Sequence, residues 1–223
     1  MNRSGPAARG RLRWVIKVGG SLSKSEQLAP ALKEIDNLAG KGFKLLVAPG
    51  GGEYADFIRL HSSRRQLDSR TAHLQAILSV RQYGLELASR LKRGVAVFSA
   101  REATLALGAG KTPVFLPDEG VLDVVKAPVG WTTTSDTIAV AILARMRFGG
   151  LILLKSVDGV EQEGALAPRA TATAAARAGV VDKVFPKVVR KQWDLFILNG
   201  AKPGLLSELL LSGHCHGTRL TAP

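Results

Sequence analysis

The stretch WVIKVGGSLS, residues 14–23, places Lys17 at the end of an apolar run and Gly19 and Gly20 just after it. An apolar run that leads into glycines is typical of a buried strand followed by a phosphate-binding turn. In the P-loop, however, the lysine follows the glycines. Lys17 precedes them, so this stretch predicts a phosphate-binding turn of another kind.

A second stretch, LLVAPGGG at residues 45–52, has the same form and is followed by Glu53 and Asp56. Two such turns on adjacent strands could bring backbone N–H groups onto one anion, because glycine lacks a Cβ and permits close approach. A third cluster, GAGKT at residues 108–112, has leucine at position 105 where a P-loop needs its first glycine. Proline and apolar residues follow its lysine, so a loop between a helix and a strand is predicted there.

Short apolar runs alternate with longer amphipathic segments along the chain. The runs predict buried strands at 14–18, 43–48, 95–99, 114–116, 151–154 and 195–198. The segments predict helices at about 25–39, 53–61, 68–92, 134–146, 184–192 and 204–211. This alternation predicts a mostly parallel sheet with helices on both faces, with ligands beyond the carboxyl ends of the strands.

Composition excludes several classes of protein. Of the 223 residues, 46% are hydrophobic and 22% are charged, as in an ordinary globular protein. Cys215 is the only cysteine, so a disulfide framework is excluded and a reducing cytoplasm is expected. No apolar run approaches the roughly 18 residues that cross a membrane, and no membrane association is expected. The basic segment 1–13 is predicted to be a flexible tail.

The net charge of +13 fits nucleic-acid binding or attraction of small polyanionic substrates. No nucleic-acid-binding motif accompanies the charge, so no nucleic-acid partner is expected. His214, Cys215 and His216 are adjacent and cannot easily point at one ion, so they predict a surface loop and no metal site. Lys187 lies in the first turn of a predicted helix, which is unfavourable unless an anion binds there.

Two further motifs leave alternatives open. Thr134, Ser135 and Asp136 precede an apolar helix, where they could cap its N-terminus or, for Asp136, orient a cation in a site. LLKSVDGV at residues 153–160 ends a predicted strand in an Asp–Gly turn, which is ordinary turn chemistry or part of a site.

The motifs KVGGSL, VAPGGGEYAD, TSDTIAVAIL, LLKSVDGV and VFPKVV occur in the order typical of the amino acid kinase superfamily, which the chain resembles from Trp14 to Leu220. The resemblance implies a three-layer αβα sandwich with an open, mostly parallel sheet. It implies one kinase domain at 14–223, with an acceptor-binding lobe at about 14–130 and an ATP-binding lobe at about 131–223. ATP, Mg²⁺ and a small anionic acceptor are the implied ligands, and a homo-oligomer is expected.

The resemblance also implies roles for individual residues. Lys17 would contact the transferring phosphoryl group, Asp136 would hold the catalytic lysines, and Lys187 would be the second of these, on the nucleotide side. The implied acceptor and phosphate site comprises Gly19, Gly20, Ser21, Gly50, Gly51, Gly52, Asp56, Thr134 and Ser135. The implied ATP site comprises Lys155, Ser156, Asp158, Gly159 and Lys187.

Within the superfamily, the chain most resembles a small archaeal group that phosphorylates an aminomethylfuran-methyl phosphate to the diphosphate during methanofuran synthesis. Its ammonium group could pair with Glu53 or Asp56, although Glu53 equally suits a helix N-terminus. A carboxylate or nucleoside monophosphate acceptor is the alternative. A non-catalytic ATP- or oxyanion-binding protein of the same fold is another, but the joint presence of Lys17, Asp136 and Lys187 favours catalysis.

Overall fold

A computed structural model describes residues 13–24 and 26–223, with only the backbone of Lys24. The predicted tail therefore lies outside the described residues except for Arg13. The strands are β1 Arg13–Val18, β2 Lys44–Pro49, β3 Gly94–Val97, β4 Thr112–Phe115, β5 Gly150–Lys155, β6 Glu161–Gln162, β7 Ala165–Leu166, β8 Arg169–Thr171, β9 Asp194–Asn199 and β10 Thr218–Thr221. The α-helices are α1 Leu28–Gly40, α2 Gly52–Arg65, α3 Ser69–Arg90, α4 Ala100–Gly108, α5 Ser135–Met146, α6 Ala172–Arg177, α7 Phe185–Val188 and α8 Leu205–Ser212. Two 3₁₀ helices span Gly20–Lys24 and Glu119–Val125.

Eight strands form one sheet in the order β3-β4-β2-β1-β5-β9-β10-β8. The six strands from β3 to β9 are mutually parallel, whereas β10 runs antiparallel to β9. Helices cover both faces, which confirms the predicted fold class. All six predicted strands are present, and β1 lies at the centre of the sheet.

Alternate residues of the central strands pack into two separate cores, one on each face of the sheet. Val15, Leu151 and Leu153 belong to the core that includes α5, whereas Trp14 and Ile16 belong to the core that includes α1. Because side chains of a strand alternate between faces, an entirely apolar strand indicates that both faces are covered. The apolar runs read from the sequence have this cause.

Helix α5 is buried along most of its length, from Asp136 to Leu143. It packs against β1, β2 and β5 on one side of the sheet. Its N-terminus therefore lies at the carboxyl end of the central strands, which is where ligands bind in open α/β sheets. None of the described helices is long and apolar enough to cross a membrane.

Some predicted elements differ from the structure. The helix predicted at 184–192 ends at Val188, because Val189 is already extended. Helices α4 and α6 and the edge strands β8 and β10 were not predicted. These elements are short, and each buries only a few side chains, so a periodic signal is weak. The GAGKT segment is the predicted loop, between α4 and β4.

Gly150 permits a close contact that we expect to limit stability. A Cβ at Gly150 would overlap the ring of Trp14, which is completely buried. We expect Gly150→Ala to lower the free energy of unfolding by about 1–3 kcal/mol, because the core must shift to admit the methyl group. Urea denaturation measures this change.

Gly108→Ala is the matched control, since a Cβ at this helical position meets no atom within 4 Å. Alanine favours helix, so this change is expected to be neutral or to stabilise by about 0.4–1 kcal/mol. Equal effects of the two substitutions would contradict the packing argument.

Candidate active site

Two lysines lie at the carboxyl ends of neighbouring strands. In the register of β1 and β5, Lys17 is opposite Leu153, and Lys155 lies two residues further along. Side chains repeat on one face of a strand every two residues, so both lysines are on the α5 face of the sheet. They continue the apolar stripes of Val15 and of Leu151 and Leu153 to the edge of the core.

Asp136, in the first turn of α5, bridges these two lysines. Its Oδ1 is 2.9 Å from Lys17 Nζ, and its Oδ2 is 2.6 Å from Lys155 Nζ. Lys17 and Asp136 are each only 4% exposed. Two cations thus share one anion in a place from which water is largely excluded.

Burial and charge act in opposite directions on these groups. Burial alone would raise the pKa of Asp136, but Lys17 and Lys155 outweigh it and the pKa lies below its usual value. Burial, followed by repulsion from Lys17, lowers the pKa of Lys155, although Asp136 acts in the opposite direction. Asp136 is therefore ionised at neutral pH and keeps the two lysines together.

The two glycine turns meet backbone to backbone, as the sequence predicted. A Cβ on Gly20 would lie 2.5 Å from the nitrogen of Gly52, and a Cβ on Gly50 would lie 2.6 Å from the nitrogen of Gly20. The Gly19 N–H donates to the carbonyl of Leu154, and the Gly50 N–H donates to that of Val18. These two N–H groups therefore fix the turns against neighbouring strands.

The turns, the lysines and the N-termini of α2 and α5 surround a cleft of about 410 Å³. Of the residues predicted to bind acceptor and phosphate, the lining includes Gly19, Gly20, Ser21, Gly51, Gly52, Asp56, Thr134 and Ser135. Gly50 is buried beneath the turn. Sequence reasoning missed Arg59 and Trp131, which stack with 5.3 Å between the guanidinium and the ring centroid, and also His73.

The residues predicted to bind ATP fall into two places. Lys155 lines the cleft, whereas Ser156 is exposed beyond it. Asp158 accepts hydrogen bonds from Asn199 and Lys202 at the mouth of a separate cavity. Gly159 packs so closely on Thr218 that a Cβ would overlap its hydroxyl.

Lys187 differs most from expectation. It is exposed on the four-residue helix α7, and the lysine that Asp136 holds opposite Lys17 is Lys155. The sequence-based expectation that Asp136 ties Lys17 to Lys187 is therefore not what the structure shows. The reason is the strand register, which sets Lys155 beside Lys17, and a motif order along the chain does not contain this information.

Asp182 orients the N-terminus of α5 and was missed as a site residue. Its carboxylate accepts six hydrogen bonds, from the N–H and hydroxyl groups of Thr134 and Thr137 and from the N–H groups of Val184 and Phe185. An Asp ahead of a helix predicts a cap for that helix. Local sequence carries no sign that the same carboxylate also caps α5, which is 45 to 48 residues earlier.

Glycine turns and a shared lysine pair at the carboxyl edge of a parallel sheet are the equipment of a phosphotransferase. Residues 12–171 match the amino acid kinase family, and the chain belongs to that family. It is accordingly an ATP-dependent phosphotransferase. The family and fold predicted from the motifs are confirmed.

The chain is 24% identical over 205 residues to the [5-(aminomethyl)furan-3-yl]methyl phosphate kinase of Methanocaldococcus jannaschii, with 90% of this chain and 94% of the relative covered. The fold is similar to that of UMP kinase from Bacillus anthracis, with a TM-score of 0.75, 18% identity and coverage of 94% and 96%. Uridylate kinase from Archaeoglobus fulgidus has a TM-score of 0.72, 20% identity and coverage of 94% and 100%.

Removal of the Asp182 carboxylate tests its role in positioning α5. We expect Asp182→Ala to lower the free energy of unfolding by about 2–4 kcal/mol, because several buried donors lose their acceptor. The turnover number should fall as well, since Asp136 loses its fixed position. Urea denaturation and steady-state kinetics measure both.

Asp68→Ala is the control, because Asp68 caps α3 through the N–H groups of Arg70 and Thr71 only. It should destabilise by about 1 kcal/mol and leave kcat unchanged. Matching effects of the two substitutions on stability and kcat would contradict a special role for Asp182.

Proposed function

We propose that the protein transfers the γ-phosphoryl group of ATP to a phosphate monoester with an amine substituent, such as [5-(aminomethyl)furan-3-yl]methyl phosphate, and forms a diphosphate. The observation that carries this proposal is the buried Lys17–Asp136–Lys155 cluster in a glycine-lined cleft. The Methanocaldococcus jannaschii relative, which is named as a kinase of this acceptor, supports its identity.

The transfer would need alignment and charge stabilisation more than acid–base chemistry. An oxygen of the acceptor phosphate would form a bond to the γ-phosphorus while the bond from that phosphorus to the β,γ-bridging oxygen breaks, which releases ADP. The acceptor oxygen already carries negative charge, so no residue has to remove a proton. The protein would therefore contribute mainly by holding both substrates in line.

Lys17 and Lys155 would stabilise the group in transit. Because they share the single carboxylate of Asp136, the cluster retains one net positive charge. This charge lies in a largely dry place, where it acts more strongly on a phosphoryl group than it would in water. Asp136 also prevents the lysines from moving apart when no substrate is bound.

The backbone at the two glycine turns would bind phosphate oxygens. Gly20, Ser21, Gly51 and Gly52 line the cleft, and α2 begins at Gly52. The N-terminus of a helix carries unpaired N–H groups and partial positive charge, which favour an anion. The close approach of the two turns would set these donors around one phosphate.

The nucleotide would lie on the β5 side of the cluster, with Ser156, Asp158, Gly159 and Lys187 as proposed contacts beyond Lys155. Within residues 13–24 and 26–223, no group of three or more His, Cys, Asp and Glu side chains is placed to hold a metal ion. Mg²⁺ usually keeps water and substrate phosphates as ligands. The phosphates of ATP would therefore supply most of its ligands, and Mg²⁺ would offset their charge.

The charged lining of the cleft suits an acceptor that is both anionic and cationic. Lys17, Arg59 and Lys155 give +3, and Asp56 and Asp136 give −2, so the lining has a net charge of 3 − 2 = +1. Asp56 lines this cleft, whereas Glu53 lines a different cavity with Tyr54 and Tyr83. Of the two acids considered from the sequence, we propose Asp56 as the partner of the acceptor ammonium group.

A screen of acceptors tests the proposed function. ADP release would be measured with ATP, Mg²⁺ and aminomethylfuran-methyl phosphate, uridine monophosphate, or the carboxylates aspartate and acetylglutamate. We expect turnover with the furan phosphate and formation of its diphosphate. Turnover of a carboxylate or of uridine monophosphate, without turnover of the furan phosphate, would overturn the proposed acceptor and leave the family intact.

Asp56→Asn separates binding of the amine from transfer. The variant should raise KM for the furan phosphate about tenfold and change kcat little, because it removes a charge partner of a group that does not react. The phosphate lacking the amine should show no such change. An unchanged KM for the amine substrate would exclude Asp56 as its partner.

The lysine pair makes a second prediction. Lys155→Met and Lys17→Met should each lower kcat about 100- to 1,000-fold, because each removes a charge aimed at the transferring group. Since the pKa of Lys155 is lowered, kcat of the wild type should fall as pH rises through a value below that of an ordinary lysine. Lys155→Arg, which stays protonated, should move this alkaline loss to higher pH.

Kinetics at saturating substrate, from about pH 7 to about pH 10, check both expectations. Lys187→Met is the comparison, because Lys187 is exposed and lies outside the cluster. A large loss in Lys187→Met with normal kcat in Lys155→Met would restore Lys187 as the second catalytic lysine and refute the assignment of Lys155.

A further inference from the structure

One wall of the cleft is formed by a single face of α3. His73, Ala76, Ile77 and Val80 all line the cleft. Their spacing of three, four and seven residues places them on one side of the helix. Three of the four are apolar, so this wall suits an uncharged ring, and His73 is its polar member.

His73 is buried without a hydrogen-bond partner. Its side chain is in a residue only 4% exposed, and its Nε2 has no partner among the described residues. Leaving a buried polar atom unpaired costs about 1–3 kcal/mol. An unpaired atom in the wall of a substrate cleft can be satisfied by the substrate, so this position differs from an ordinary buried histidine.

The imidazole is neutral at physiological pH, because burial lowers the pKa of His73. A neutral imidazole has one nitrogen that accepts a hydrogen bond, whereas an imidazolium has none. The charged groups that share the cleft with it are Lys17, Asp56, Arg59, Asp136 and Lys155. A neutral His73 therefore adds a hydrogen-bond acceptor to a cleft that already holds three cations.

Acceptors are the scarcer groups in this cleft. Both oxygens of Asp136 face lysine ammonium groups, at 2.9 and 2.6 Å. Anionic parts of a substrate have the lysines, Arg59 and backbone N–H groups available to them. A substrate ammonium has only Asp56 and the unpaired His73 among the ionisable side chains that line the cleft.

We infer that His73 is a specificity-determining residue, whose Nε2 accepts a hydrogen bond from the ammonium group of the phosphate-monoester acceptor. The inference rests on the proposed function and adds to it a second contact to the amine, beside Asp56. The apolar residues on the same face of α3 would pack against the ring that carries the amine. His73 takes no part in the phosphoryl transfer itself.

The test compares two substrates, aminomethylfuran-methyl phosphate and its analogue with methyl in place of aminomethyl. The ratio of their kcat/KM values measures the preference for the amine. We expect His73→Leu to lower kcat/KM for the amine substrate about tenfold or more and to leave the methyl analogue unchanged or better. His73→Gln, whose amide oxygen can occupy the place of Nε2, should retain most of the preference.

Gln75→Leu is the matched control. Gln75 Oε1 is also buried without a partner on α3, but Gln75 does not line the cleft. This variant should keep the wild-type ratio. His73→Asn, which is polar but too short to reach the same position, provides a second loss variant if leucine prevents folding.

The two ways of failing are distinct. If the wild type phosphorylates neither furan phosphate, the proposed function fails and the role of His73 fails with it. If the wild type phosphorylates both, but the ratio in His73→Leu or His73→Asn equals that of the wild type, the assignment of His73 alone is overturned. A fall in the ratio that Gln restores and Gln75→Leu does not reproduce is the expected result.

Discussion

A buried carboxylate shared by two buried lysines is the interaction on which the rest of the site depends. Asp136 holds Lys17 at 2.9 Å and Lys155 at 2.6 Å, and without it two like charges would face each other in a dry environment. Removing one partner of a buried ion pair is strongly unfavourable, whereas the complete cluster is tolerated. The sheet register that brings the lysines together and the Asp182 network that orients α5 both serve this arrangement.

The second constraint is the contact between the two glycine turns. Gly20 lies against Gly52, and Gly50 lies against Gly20, at distances that no side chain would allow. This contact joins the ends of β1 and β2 and brings the start of α2 to the lysine cluster. Transfer chemistry and stability are thus linked, because the same backbone contact shapes the cleft and closes the edge of the sheet.

Much of the fold was predictable because its signals are local. Six buried strands follow from short apolar runs, and the cap of α3 follows from Asp68. Lysine at the ends of two strands and glycine after two strands also indicated the right edge of the sheet. The pairing of Asp136 with Lys155 was not predictable in this way, because it depends on which strands are neighbours. The long-range cap by Asp182 depends likewise on contacts between distant segments.

The sequence by itself therefore determined the class of fold, the kinase family and most of the residues around the cleft. These follow from periodicity and from motifs that are continuous in the chain. Only the tertiary structure decided which lysine faces Lys17, which acid lines the cleft and that the Nε2 atom of His73 is unpaired. The physical reason is that burial and ion pairing are properties of neighbours in space, and strand order, which sets those neighbours, is not written in any single motif.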